Sequence, residues 1–202
     1  MVPGMAQEML RELGPLLAEE GIDVDDLDGI DLDTLQQAMG RAVERRNLEL
    51  FSPVGPARDI TVTTLRLVAR AVVDGDTALA AGILDQVQPE SPDGSVATVA
   101  GCIGVALGLL DAWMSGAAGD VPAGLAQGTR LPAGHWNGGR AATDILALAG
   151  KGRALRSLDR LHARHGGMEI LTGSALVLAV AAGTWAQLTG TPPAELIPAV
   201  IR

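Results

Sequence analysis

The sequence predicts an all-α protein: a single compact orthogonal helical bundle over residues 1–202, built around two central apolar helices rich in Gly and Ala. Three observations carry that expectation. No segment sustains the apolar–polar alternation and turn chemistry of a β-hairpin. Apolar residues instead recur at helical spacing along most of the chain. Two runs, 95–114 and 169–188, are apolar on nearly every side, as befits helices at the centre of a core. Hydrophobic residues make up 48% of the chain but aromatics only 2%, so this core must be built from Leu, Val, Ile and Ala.

The elements follow in order. Residues 5–20 form an amphipathic helix through Met5, Met9, Leu13, Leu16 and Leu17, kinked or divided at Gly14-Pro15 because proline removes a helix donor. An acidic arm, 1–33, leads into a helix over 34–46 with Leu35, Ala38, Met39, Ala42 and Val43 on one side. Pro53, Gly55 and Pro56 mark 47–59 as a loop. Helices over 61–73 and 77–87 flank the tight turn Asp74-Gly75-Asp76, with Asp76 as N-cap, and make an αα-hairpin. The stretch "GDTALAAGILDQV" is spaced like part of a tetratricopeptide unit, but no second copy follows, which excludes a repeat array.

Residues 88–94 are a linker, and 95–114 the first central helix. Its Gly101, Gly104 and Gly108 predict a smooth groove for another helix. Residues 116–139 form a long Gly/Pro-rich loop, interrupted by a short turn near 121–127. Loops of this length inside a domain are often functional. Residues 140–165 read as one helix or two, since Gly150 and Gly152 weaken the middle. Gly166-Gly167 is a stop. The second central helix follows over 169–188. Thr191 caps a last helix with Pro192 at its first position.

The run "DVDDLDGIDLD" puts six aspartates between positions 23 and 33. A calcium loop needs acidic ligands at its first and twelfth positions. With Gly29 as the sixth residue, those positions hold Val24 and Leu35, so the run is no calcium site. It reads as an arm anchored by Val24, Leu27, Ile30 and Leu32. Asp33 and Gln36 form a capping box, with Asp31 and Asp33 at the positive end of the helix dipole.

Net charge is −9, which disfavours nucleic acid and anionic lipid as partners. A single Cys, Cys102, fits a reducing cytoplasm and reads as inert core. Glu8, Arg11 and Glu12 stand where a signal peptide needs apolar residues. Residues 170–194 are long and uncharged enough for a membrane span, but Thr172, Ser174, Thr184 and Gln187 favour a buried helix in a soluble bundle. One Lys against many Arg, Ala, Gly and Pro suggests a GC-rich bacterial genome.

Three sets of residues are candidates for chemistry. On a helix, Arg153, Arg156, Arg160 and Arg164 fall into one stripe, with Leu155, Leu158, His162 and His165 opposite. The stripe is either a solvated face or a site for an acidic partner. The acidic residues Asp23, Asp25, Asp26 and Asp28 are the obvious complement, within one chain or across a dimer. Asp159, His162 and His165 converge too poorly on one helix to bind a metal, and "AGKGR" lacks the spacing of a phosphate loop. In the loop, Arg130, His135, Trp136 and Arg140 gather groups able to bind a small molecule, although Trp136 reads equally as a pin onto the core. Asp111 is either a partner for an Arg or a solvated helix end.

No cofactor is implied and no catalytic motif is present. The sequence therefore predicts a non-catalytic protein-interaction or regulatory module acting as a homodimer or with another protein. The alternative is a small-molecule-binding protein or enzyme with a pocket under the 129–140 loop.

Overall fold

The computed structural model describes residues 14, 15, 17, 18, 21–24, 31–91, 94–132 and 139–202, and for 43–49 the backbone alone. The fold is all-α. Among the described residues there are nine α-helices, no strand, and one isolated bridge between Gln88 and Thr98. The chain divides into two compact units, Met1–Leu50 and Phe51–Arg202.

In the first unit, α1 (Leu32–Phe51, running on into the second) presents Ala38 and Ala42 to Leu17 and Ile22, with Val24, Leu35 and Met39 packed alongside. The cap is Asp31, not Asp33. The Asp31 carboxylate accepts from the Thr34 amide at 2.9 Å and from the Thr34 hydroxyl, satisfying a donor that the first turn leaves open. Asp33 lies in the first turn, where its charge suits the dipole. Leu32 is no anchor: it opens the helix and is 67% exposed. Residues 5–13, Leu16, Leu27 and Ile30, and the side chain of Val43, lie outside the described set.

In the second unit, α2 (Gly55–Val73) and α3 (Thr77–Leu84) form the hairpin, with the Asp76 carboxylate accepting from the Leu79 amide at 2.9 Å. The predicted loop over 47–59 shrinks to three residues, because Pro56 sits in the first turn of α2, where no amide donor is needed. Next come α4 (Val99–Met114), capped by the Thr98 hydroxyl, and the single turn α5 (Leu125–Gly128) inside the long 116–139 segment. The 140–165 segment is two helices: α6 (Gly139–Ala149) and α7 (Leu158–His165), joined through a 3-10 turn at Leu155–Ser157. Finally, α8 (Gly167–Thr189) and α9 (Pro193–Val200) close the unit. Here Pro192, rather than Thr191, is the cap residue.

The axis is α8, against which α2, α4, α5, α6, α7 and α9 all pack. Its Ile170, Leu171, Val177 and Leu178 are fully buried, each contributing roughly 1.5–3 kcal/mol. Its hydroxyls are satisfied internally: Ser174 donates to the Leu171 carbonyl and Thr184 to the Val180 carbonyl. This helix is long and apolar enough to cross a membrane, and 61% of its most apolar window is buried within the structure. At Gly173 an added Cβ would stand 2.8 Å from the Ala142 nitrogen, so glycine sets the closeness of α6 and α8. Trp113 and Trp185 meet edge to face, ring centres 5.3 Å apart, where the ends of α4 and α8 approach. Cys102 is fully buried, and burial pushes its thiol up to about 12, as an inert core residue requires.

The glycines of α4 do not make one helix groove. Gly104 receives the Phe51 carbonyl, Gly101 lies near Pro53, and Gly108 has open space. The carbonyls at the end of α9 are satisfied from α2: Arg66 donates to the Ile201 and Pro198 carbonyls at 2.8 and 2.9 Å, and Arg58 to that of Arg202 at 2.9 Å.

Two predictions follow from these contacts. Gly104→Ala should destabilise by about 2–4 kcal/mol because backbone must move, whereas Gly108→Ala should stabilise by about 0.5–1 kcal/mol. Urea unfolding of the pair would measure both, and equal effects would contradict the packing described. The Thr34 hydroxyl and then its amide hold the Asp31 carboxyl below its usual 3.8. A lowered pKa gives stabilisation that is complete above the unfolded value and lost as pH falls through the lowered one. Amide NMR should therefore show the first turn of α1 fraying on acidification below pH 3.8, and Asp31→Ala should show it frayed already at neutral pH.

Candidate functional site

Charge is unevenly spread along the chain. Residues 139–170 carry six Lys or Arg against three Asp or Glu, a net of +3 in a chain of net −9. Two local features place these cations. Gly152, at φ 61°, turns the backbone after α6 in a conformation that other residues rarely adopt. The Asp111 carboxylate at the end of α4 then accepts from the amides of Ala154 and Leu155 at 2.8 and 2.9 Å. Asp111 is thus neither an arginine partner nor a solvated end. It caps the 3-10 turn that leads into α7, and fixes where that helix starts.

Leu161 of α7 is buried and Leu158 packs on the core. The four arginines do not share one helix, because Gly152 turns the chain: Arg160 and Arg164 are on α7, Arg156 is in the 3-10 turn and Arg153 precedes it; all four are exposed. Arg164 donates to Asp144 Oδ2 of α6 at 2.8 Å. Among the described residues, Arg153, Arg156 and Arg160 have neither a hydrogen bond nor an ion pair, so their full donor sets face solvent.

Beside this face, Asp144 Oδ2 also meets His165 Nε2 at 2.8 Å, and His165 Nδ1 lies 3.6 Å from Glu169 Oε1 of α8. Since a carboxylate only accepts, Nε2 carries the proton. The His165 side chain is 4% exposed, against 65% for that of Arg164. With both ring nitrogens turned to carboxylates, His165 ties α6, α7 and α8 together rather than serving as a base for a substrate.

Arg140, Thr143, Asp144, Arg164 and His165 line a cleft of about 450 Å³ at the start of α6. Arg140, one of the predicted ligand residues, therefore joins Arg164 of the predicted stripe. Arg130 lines a different cleft, on α8 and the end of α2. His135 and Trp136 lie outside the described residues, as do Asp25, Asp26 and Asp28. Asp23 is described and partnered. The set Asp159, His162 and His165 does not converge, since Asp159 and His162 are exposed while His165 is turned to Asp144. No group of three or more His, Cys, Asp or Glu among the described residues is placed to hold a metal ion.

Sequence reasoning missed Asp144, Glu169 and Thr143. Asp144 has no local signal, because its partners are 20 and 21 residues away. Glu169 lies one turn after His165, a spacing hidden by reading Gly166-Gly167 as a full stop. No family model, curated protein or solved structure matches this chain.

The Asp111 cap has a measurable consequence. Asp111→Ala should cost about 1–2 kcal/mol, the loss of a carboxylate accepting two amides at a helix start. Asp111→Asn should cost less. Thermal unfolding of the two variants would measure this, and an unchanged Asp111→Ala melting temperature would contradict the role.

Proposed function

We propose that this chain is a non-catalytic interaction module whose arginines on α7 and on the turn before it take an acidic segment of a protein partner. The observation that carries the reading is the set of exposed guanidiniums without a hydrogen bond or ion pair at Arg153, Arg156 and Arg160, close in sequence to Arg164, which lines the cleft with Arg140. Arginine matches carboxylates with paired donors, so such a set suits an acidic peptide. The positive region on an otherwise acidic chain would steer and orient such a partner. The inert Cys102 and the bond of His165 Nε2 to Asp144 support binding over catalysis. A second copy of this chain has the right chemistry to be one such partner, since its sequence carries six aspartates between positions 23 and 33.

The test is fluorescence anisotropy with a labelled acidic peptide of the sequence "DVDDLDGIDLD", alongside light scattering for oligomeric state. Wild-type protein should bind saturably and more weakly as salt rises. Arg156→Glu with Arg160→Glu should reduce affinity by at least about tenfold, some 1.4 kcal/mol, with the melting temperature unchanged. Equal affinity for the Asp-to-Asn peptide, or for the double variant, would overturn the proposal.

A further inference from the structure

We propose a second, separate site: a groove on α8 that binds a small monocarboxylic acid by its apolar body and its carboxylate. The groove encloses about 370 Å³, within the usual range for small-ligand sites. Val180, Thr184 and Gln187 of α8 line one side of it at spacings of four and three residues, which places them on one helix face. Val72 and Val73, at the end of α2, form the opposite wall. Gly128 of α5 and, just after it, Arg130 and Pro132 also line the groove.

Three features fit a ligand of this class. First, the walls are apolar and half-buried, since Val72, Val73 and Val180 retain part of their surface in contact with water. An apolar ligand body would cover that surface. Second, Arg130 is the single charged residue lining the groove among the described residues. It donates Nη1 to the Thr129 carbonyl at 3.1 Å, which leaves further guanidinium donors for an incoming group. One cation matches one negative charge, which favours a monocarboxylate over a doubly charged phosphate, and the planar guanidinium edge can pair both carboxylate oxygens. Gln187 can add an amide donor. Thr184 has already given its proton to the Val180 carbonyl and can only accept.

Third, glycine lets the elements around the groove approach closely at two points. A Cβ on Gly183, inside α8, would stand 3.3 Å from a Val73 methyl. A Cβ on Gly128 would stand 3.1 Å from the Thr184 methyl. Glycine is disfavoured inside a helix, so its presence at 183 fits a close approach of the two walls. The site shares no residue with the α7 face or the α6 cleft, and stands or falls independently of them.

The probes are octanoate and 1-octanol, which share a tail and differ in charge, titrated into the full chain with amide NMR as readout. Octanoate should bind saturably, with shifts centred on Val180, Thr184 and Gln187, and 1-octanol at least about tenfold more weakly. Arg130→Gln, at an exposed position, should remove this preference while leaving the melting temperature unchanged. Val180→Phe should block both probes. Equal affinity for the two probes, shifts located elsewhere, no octanoate binding, or octanoate binding unaffected by Arg130→Gln would each overturn the proposal.

Discussion

The second unit depends on burying a 23-residue helix that has almost no polar side of its own. Wherever α8 stays uncovered, Leu, Val and Ala remain in water at roughly 25 cal/mol per Å². Covering it takes six other helices, and their placement follows from where α8 is narrow. Gly173 admits α6 to within contact of its backbone, and Ala175, Ala179 and Ala182 keep the rest of the surface shallow. With no Tyr and a single Phe in the chain, large side chains could not have filled wider gaps. Close approach through small residues takes the place of aromatic bulk.

That packing also sets the two places where chemistry is available. α6 and α8 converge at Gly173, and α7 turns directly into α8 at Gly166, whose φ of 75° ends one helix and begins the next. The end of α7 and the start of α8 bring His165 and Glu169 beside Asp144 in the middle of α6, and the outer face of α7 is left with its arginines in solvent. On another face of α8, the neighbours stop short at Val180, Gly183 and Gln187, and the groove opens beside Arg130. Both proposed binding regions are therefore edges of one core rather than separately built pockets.

Much of this was legible in the sequence. The two uniformly apolar helices could only be central, and Asp76 in "DGD" could only cap what followed. Other features were ambiguous for physical reasons. Asp31 and Asp33 both precede the apolar periodicity, and the choice between them lies with the Thr34 hydroxyl, which answers Asp31. Pro56 reads as a breaker until it is placed in a first turn, where it is harmless. The exposed arginines were visible in the sequence, but the single helical stripe was not met, since Gly152 and the 3-10 turn set Arg153 and Arg156 apart from α7. Their support was not visible, because Asp111 reaches amides 43 and 44 residues away and Asp144 reaches His165 across 21. Such contacts arise only when helices have already packed.

Native-state hydrogen exchange along α8 tests this account most directly. If α8 is the axis on which six helices of the second unit pack, its central amides, from Leu171 to Ala182, should exchange only through global unfolding, more slowly than those of α3 or α5. Amides of α7 should open earlier, since that helix is short and buries only Leu161. Exchange of the α8 amides at low denaturant, while α2 and α4 remain protected, would contradict the central place given to α8.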